Sequence, residues 1–363
     1  MRWTSPAFLC LLATLLDWAL PAKLMAQTSG QTVLTRIVKS GKYGFIDAVG
    51  RVVIEPRFQY ASDFREGLAS VFACGKEGYI DETGRFAIQP RFGRASDFQE
   101  GLAAVAVNGK VGFIDKTGSM IITARFDDAL FFSDGLAAVK LADKWGYVDE
   151  AGNMRVPARF DFAAPFMGGR AMAEVNGQKG FIDRDGSMVL PDVESVWGFK
   201  EGLAPVQVGK WYGYIDTNGQ PAIEAKFSDA SGFSEGLAAA ASVSPGHKWG
   251  YIDKHGQFVI QPRFDGADQF TDGVASVRVG RRYGCIDKNG AFVVKPQFES
   301  IGCSREGLTW ITMSPSEWGY MDPAGEIVWR ARVSEQPEPH RPLLGWTESD
   351  VRQSFVGMPC PAQ

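Results

Sequence analysis

The stretch Gly112-Phe113-Ile114-Asp115-Lys116-Thr117-Gly118 decides the fold, because its frame returns along the chain. Gly-aromatic-aliphatic-Asp occurs nine times, with glycines at Gly44, Gly78, Gly112, Gly146, Gly180, Gly213, Gly250, Gly284 and Gly319. Cys285 replaces the aromatic residue in one copy. Successive glycines lie 33 to 37 residues apart, most often 34. A period in this range means a tandem array of one supersecondary unit.

The unit reads outward from that stretch. Before it, Ala103, Val105 and Val107 alternate with other residues, as do Ala204/Val206/Val208 and Ala275/Val277/Val279. Period two with β-branched residues predicts a half-buried strand. Asn108-Gly109-Lys110 predicts a tight turn with positive backbone angles. A second strand is Gly-Tyr-Ile-Asp, and a third is the Val-Ile run that proline ends, as at Pro56. Each unit is thus a three-stranded meander.

Between units, Phe58/Ala61/Phe64, Phe92/Ala95/Phe98, Phe126/Ala129/Phe132 and their later counterparts are spaced by three. That spacing predicts one helical or 3₁₀ turn that plugs the space between neighbouring meanders. A unit of this size cannot cover its own apolar face, so neighbours must stack. The expected fold is all-β: nine meander repeats over residues 33–333 in an open or gently curved solenoid. A closed, propeller-like toroid is the alternative; nine units exceed the usual four to eight blades.

Lys144-Trp145-Gly146-Tyr147-Val148-Asp149 and Lys248-Trp249-Gly250-Tyr251-Ile252-Asp253 resemble the signature of the bacterial WG-repeat family. The resemblance extends to Asp-x-x-Gly, Val-Ile-x-Pro-x-Phe and Glu-Gly-Leu-Ala, and covers residues 33–333. The tryptophan itself is kept at Trp145, Trp249 and Trp318 alone; Tyr43, Tyr212, Tyr283, Glu77, Val111 and Lys179 stand there in other copies. The resemblance implies a β-rich scaffold without a common chemistry.

The flanks differ from the array. Residues 1–26 carry Arg2, an apolar run from Phe8 to Leu16, and Lys23-Leu24-Met25-Ala26. They are expected to be a signal peptide cut after Ala26, with the mature chain exported to the periplasm or outside the cell. An uncleaved anchor is the alternative, although the run is short for a membrane span. Residues 334–363 form a proline-rich linker (Pro337, Pro339, Pro342) and a tail with one short helix beginning at Thr347 or Ser349. The tail is expected to cap the last unit or to bind a partner.

The chain's net charge of −4 argues against nucleic acid as a partner. No apolar run in the mature chain approaches membrane length. Four cysteines follow the leader: Cys74, Cys285, Cys303 and Cys360. An exported context permits disulfides, but sequence does not choose the pairing.

The recurring carboxylates Asp47, Asp81, Asp115, Asp149, Asp183, Asp216, Asp253, Asp287 and Asp322 each precede a glycine by three residues. They read as hairpin devices, since a catalytic pair is needed once and not nine times. Asp183-Arg184-Asp185-Gly186 looks like part of a calcium loop without its later ligands. Arg57, Arg91, Arg125, Arg159, Lys226 and Arg263 precede the linker phenylalanine, and Glu66, Glu100, Asp134, Glu201, Glu235, Asp272 and Glu306 precede Gly-Leu or Gly-Val. They are expected to form a ladder of ion pairs; a basic stripe gripping an anionic polymer is the functional alternative. Trp145, Trp211, Trp249 and Trp318 either stack sugars or fill seams. His247, His255 and His340 are scattered surface groups.

No catalytic, cofactor or metal residues are assigned, and the binding residues are left open. The expected function is a non-enzymatic, exported scaffold for protein or cell-envelope glycan partners. The rival is a carbohydrate-binding or carbohydrate-active protein, with Asp192, Glu194, Asp143 and Glu174 as candidate carboxylates outside the repeated slots.

Overall fold

A computed structural model of the protein describes residues 33–191, 198–243, 246–304, 307–332 and 334. Among them, all extended segments belong to nine antiparallel sheets of three or four strands. The first contains β1 (Thr35–Lys39), β2 (Lys42–Ile46) and β3 (Val52–Phe58). The second adds a short leading strand and runs β4 (Tyr60–Ala61), β5 (Ala69–Ala73), β6 (Lys76–Ile80) and β7 (Phe86–Phe92), in that spatial order. Later sheets repeat this meander.

Local chemistry sets each turn. Between β5 and β6, Cys74 (φ 55°) and Gly75 (φ 76°) form a two-residue loop closed by Ala73 opposite Lys76. Positive φ at both central residues matches the natural twist of the flanking strands. Between β6 and β7, the backbone N–H groups of Thr83 and Arg85 donate to Asp81 Oδ1 at 2.9 and 3.1 Å. The repeated aspartates are therefore turn-formers, as expected.

Proline does not end the third strand. β7 continues through Pro90 to Phe92, and the register jumps from Tyr79 opposite Ile88 to Glu77 opposite Phe92. The extra residues bulge on the outer side of the sheet, where Pro90 owes no ladder bond. The bulge presses on the signature glycine: a Cβ on Gly78 would lie 2.6 Å from both the Ile88 carbonyl oxygen and the Pro90 nitrogen. The invariance of that glycine within the chain is thus a backbone packing requirement.

The linker is not helical. Tyr60 and Ala61 are extended and pair with Phe72 and Val71 of β5. A tight turn follows at Glu66 (φ 52°) and Gly67 (φ 86°), closed by Arg65 opposite Leu68. The free edge of β5 supplies hydrogen bonds that a lone helical turn would leave unmade. The phenylalanines still plug the seams. Phe64 meets Phe45 of the preceding sheet with ring centroids 4.8 Å apart, and Tyr79–Phe98, Phe113–Phe132, Tyr147–Phe166, Phe181–Phe199, Tyr214–Phe233 and Tyr251–Phe270 repeat the contact at 4.7–5.0 Å.

The apolar clusters accordingly span pairs of sheets. One joins Phe45, Ile54 and Phe58 to Tyr60, Ala61, Val71 and Ile80. Burying each phenylalanine contributes about 1.5–3 kcal/mol. The eighth seam is different: Cys285, in the slot of Tyr251, is disulfide-bonded to Cys303. Cys360 lies outside the described residues.

The array closes. Tyr320 Oη donates to the Arg36 carbonyl at 3.0 Å. Ile37 and Ile46 of the first sheet share one buried cluster with Leu308, Trp318 and Tyr320 of the ninth. Gly50 of the first sheet lies against Val328 of the ninth. The open solenoid expected from sequence is therefore replaced by its alternative, a nine-bladed β-propeller. An open array would leave the Ile37 and Trp318 faces bare; closure buries both at once. The expected leader (1–26) and the expected tail helix lie outside the described residues.

Candidate interaction surface

The polar columns that sequence offered as sites are mostly engaged in holding blades together. The arginine column does not pair with acids. Arg57, Arg91, Arg125 and Arg159 each donate from Nη2 to the turn glycine carbonyl of the next blade, at Gly84, Gly118, Gly152 and Gly186, over 2.6–2.7 Å. Arg263 does the same to Gly290. Each guanidinium also stacks on the phenylalanine beside it, 4.9–5.1 Å from the ring centroid. The expected ladder of arginine–acid pairs is thus corrected: a planar fork beside a ring finds a carbonyl on the adjacent turn.

The acidic column has other partners. Glu66, Glu100, Asp134, Glu201 and Glu235 accept the backbone N–H of the equivalent glycine one blade on, at Gly101, Gly135, Gly169, Gly236 and Gly273. Lysines of the following Asp-x-x-Gly turns add ion pairs: Lys116–Glu66 at 3.0 Å, Lys254–Glu201 at 3.1 Å and Lys288–Glu235 at 2.9 Å. Asp272 accepts from Ser304 Oγ, and Glu306 lies outside the described residues.

A second ring of contacts runs along the opposite ends of the blades, where the Gly-Lys hairpins lie. Asp127 accepts from Lys110 Nζ of one hairpin and from the Ala142 N–H of the next, the latter at 2.9 Å. Asp161 joins Lys144 to the Asn176 N–H, and Asp265 joins Lys248 to the Gly280 N–H. Sequence reading missed this clamp, although its signal was present: an acid directly after the linker phenylalanine.

Hydrogen bonds from lysine hold several of these carboxylates below their ordinary pKa: Lys288 acts on Glu235, and Lys248 on Asp265, each helped by a backbone N–H and opposed by burial. A depressed carboxylate contributes stability above its unfolded pKa and loses it as pH falls through the folded value. Denaturant midpoints should therefore hold from pH 7 to 5 and drop below about pH 4. Asp265→Asn should shrink the drop between pH 4 and 3; an unchanged drop would mean that the clamp is energetically silent. The contacts are partly exposed, so salt should weaken them.

The candidate carboxylates for catalysis are not brought together. Asp143 is a hairpin residue 3.6 Å from Lys140, and Glu174 lies 3.8 Å from Lys179. Asp192 and Glu194 lie outside the described residues. The tryptophans divide. Trp145 and Trp318 are buried, with Trp318 Nε1 donating to the Arg332 carbonyl at 2.8 Å. Trp211 and Trp249 remain half-exposed on the sixth and seventh blades, and Lys210 Nζ sits 4.7 Å from the Trp211 ring centroid. His247 and His255 are at turns, and His340 lies outside the described residues. No helix among the described residues is long and apolar enough to cross a membrane.

The profile described as WG containing repeat matches residues 43–72, 78–110, 112–145, 145–178, 180–210, 212–241, 249–282 and 283–313. No curated protein matches the chain. Among solved structures, a eukaryotic initiation factor aligns at TM-score 0.57 and 12% identity, covering 84% of this chain and 97% of that one. At that identity the likeness concerns the fold alone. Looser likenesses, which carry no argument, include the dihydro-heme d1 dehydrogenase NirN (TM-score 0.43, 12% identity, 83% and 73% covered). Another is Hsv2p of Kluyveromyces lactis (TM-score 0.37, 10% identity, 70% and 97% covered).

Proposed function

The chain belongs to the WG containing repeat family, and on that premise we propose that it is an exported, non-enzymatic scaffold that binds proteins or cell-envelope glycans. One observation carries this reading. The repeated carboxylates and guanidinium groups are spent on the array's own turns and seams, so the repetition builds a frame and leaves unit-specific hairpins to vary. A carbohydrate-binding role is the second reading, favoured by the half-exposed Trp211 and Trp249.

Two measurements test the proposal. Produced from its full gene in an exporting bacterial host, the protein should appear outside the cytoplasm with Gln27 as its first residue. A cytoplasmic chain that retains residues 1–26 would remove the export part. Incubated with a panel of envelope polysaccharides, the chain should retain ligand without releasing new sugar ends. Turnover that disappears in Glu174→Gln would replace the scaffold with an enzyme.

A further inference from the structure

The clamp at the hairpin ends changes character at one seam. Ser228 follows Phe227 of the sixth blade, in the slot held elsewhere by Asp127, Asp161 and Asp265. Its hydroxyl donates to the Ser242 carbonyl at 2.9 Å and lies 3.4 Å from His247 Nδ1. The lysine of the preceding hairpin is also replaced: Trp211 stands where Lys110, Lys144 and Lys248 stand in their units. The seventh blade's hairpin is the one that is lengthened, between Ala241 and Trp249. The sixth-blade hairpin carries the cationic Lys210, 4.7 Å from the Trp211 ring centroid, the Gln207 amide, which donates to the Gly209 carbonyl at 3.1 Å, and the half-exposed rings of Trp211 and Tyr212, while the seventh contributes the His247 imidazole.

We infer that this seam accepts the carboxylate of an acidic polysaccharide, in the place where neighbouring seams hold an aspartate of their own. At three equivalent points of the same chain a carboxylate bridges an ammonium group and a hairpin N–H. Here the carboxylate of that slot is missing; the adjacent Asp229 accepts the Ala230 N–H at 2.8 Å, and Lys210 supplies the cation. Gln59 and Gly93 also break the acid pattern, but their hairpins keep two-residue loops at Ser40-Gly41 and Cys74-Gly75 and carry no half-exposed indole.

A glycan fits better than a peptide. Aromatic faces offer a flat apolar platform beside polar groups, which suits a sugar ring carrying a carboxylate. At this seam the sixth-blade hairpin is closed on itself, with Val208 paired to Trp211 and Gln207 to Tyr212, so its tip offers side chains rather than the strand edge that an added peptide strand needs. The inference rests on the scaffold reading and narrows its partner.

The test uses the full chain and three probes: polygalacturonate, its methyl ester, and poly-L-glutamate. Polygalacturonate should bind. Esterification, which removes the charge and keeps the sugar, should weaken binding at least tenfold. Ser228→Asp supplies the missing internal carboxylate and should also cost at least tenfold; because it gives up the hydroxyl's bond to the Ser242 carbonyl, its thermal midpoint is measured alongside. If that variant folds poorly, the exposed Lys210→Ala should give the same loss. Unchanged polygalacturonate binding in Ser228→Asp with an intact midpoint, or in Lys210→Ala, would overturn the inference. So would binding of poly-L-glutamate but not polygalacturonate. A chain that retains another glycan of the envelope panel and no polygalacturonate would sink this site and leave the scaffold reading standing.

Discussion

Gly146→Ala is expected to lower stability by about 3 kcal/mol or more, and to leave much of the chain unfolded near the wild-type thermal midpoint. The added methyl would sit 2.5 Å from the Val156 carbonyl oxygen, 2.7 Å from the Ala158 nitrogen and 2.8 Å from its Cα. All three atoms are backbone, so no rotamer change relieves the clash. The bulged strand would have to lift from Tyr147, whose ring holds the seam with Phe166. Gly109→Ala provides the contrast. Gly109 has φ +78° but open space around its missing Cβ, so the cost should be about 1 kcal/mol of backbone strain. Calorimetry on both variants decides the matter. Equal small losses would show that the third strand floats over the signature glycine, contrary to the packing described.

The second large effect concerns the seam that lacks an aromatic pair. Replacing Cys285 and Cys303 with alanine should cost about 3 kcal/mol, the amount expected for a cross-link closing a loop of this length. The two residues are 18 apart. Seven other seams hold two rings at this point, so the bond substitutes for lost aromatic contact. Restoring the rings offers a stringent check. Cys285→Tyr with Cys303→Gly and Ser304→Phe copies the arrangement of Tyr214, Gly232 and Phe233, and should recover part of the loss without any thiol. Urea unfolding of the three proteins measures it. An alanine pair as stable as the parent would mean that the neighbouring Phe298, Ile301 and Ile311 suffice to hold the seam.

The features legible in the sequence were those fixed within a few residues. Asp81 and Gly84 make their turn alone, so nine copies of the pair could be read as hairpins without knowing what surrounds them. The same holds for Cys74-Gly75 and the alternating strands. The partner of Arg125 was not legible, because Gly152 reaches it across a blade interface whose geometry no local rule supplies. Closure stood only as the alternative for the same reason. A modest rotation between units, repeated, decides whether Tyr320 ends in solvent or on Arg36. The spacing of Phe58, Ala61 and Phe64 misled because a period of three is shared by a helical turn and by a short strand running into a tight turn. The seam at Ser228 escaped notice because it departs from a clamp that appears only when hairpins of successive blades are side by side.

The bond from Tyr320 to Arg36 has a consequence for how the molecule comes into being. Synthesis delivers the Ile37–Ile46 face first and its lid of Leu308 and Trp318 last. Until the final unit emerges, the newborn array has two sticky flanks and no way to quench them. After ring completion there is no end from which fraying can spread, so melting should be concerted where a linear stack would peel. A circularly permuted gene, opened at a hairpin such as Asn108-Gly109 and joined across residues 33 and 332, would shift the last-made joint to another blade without altering the finished ring.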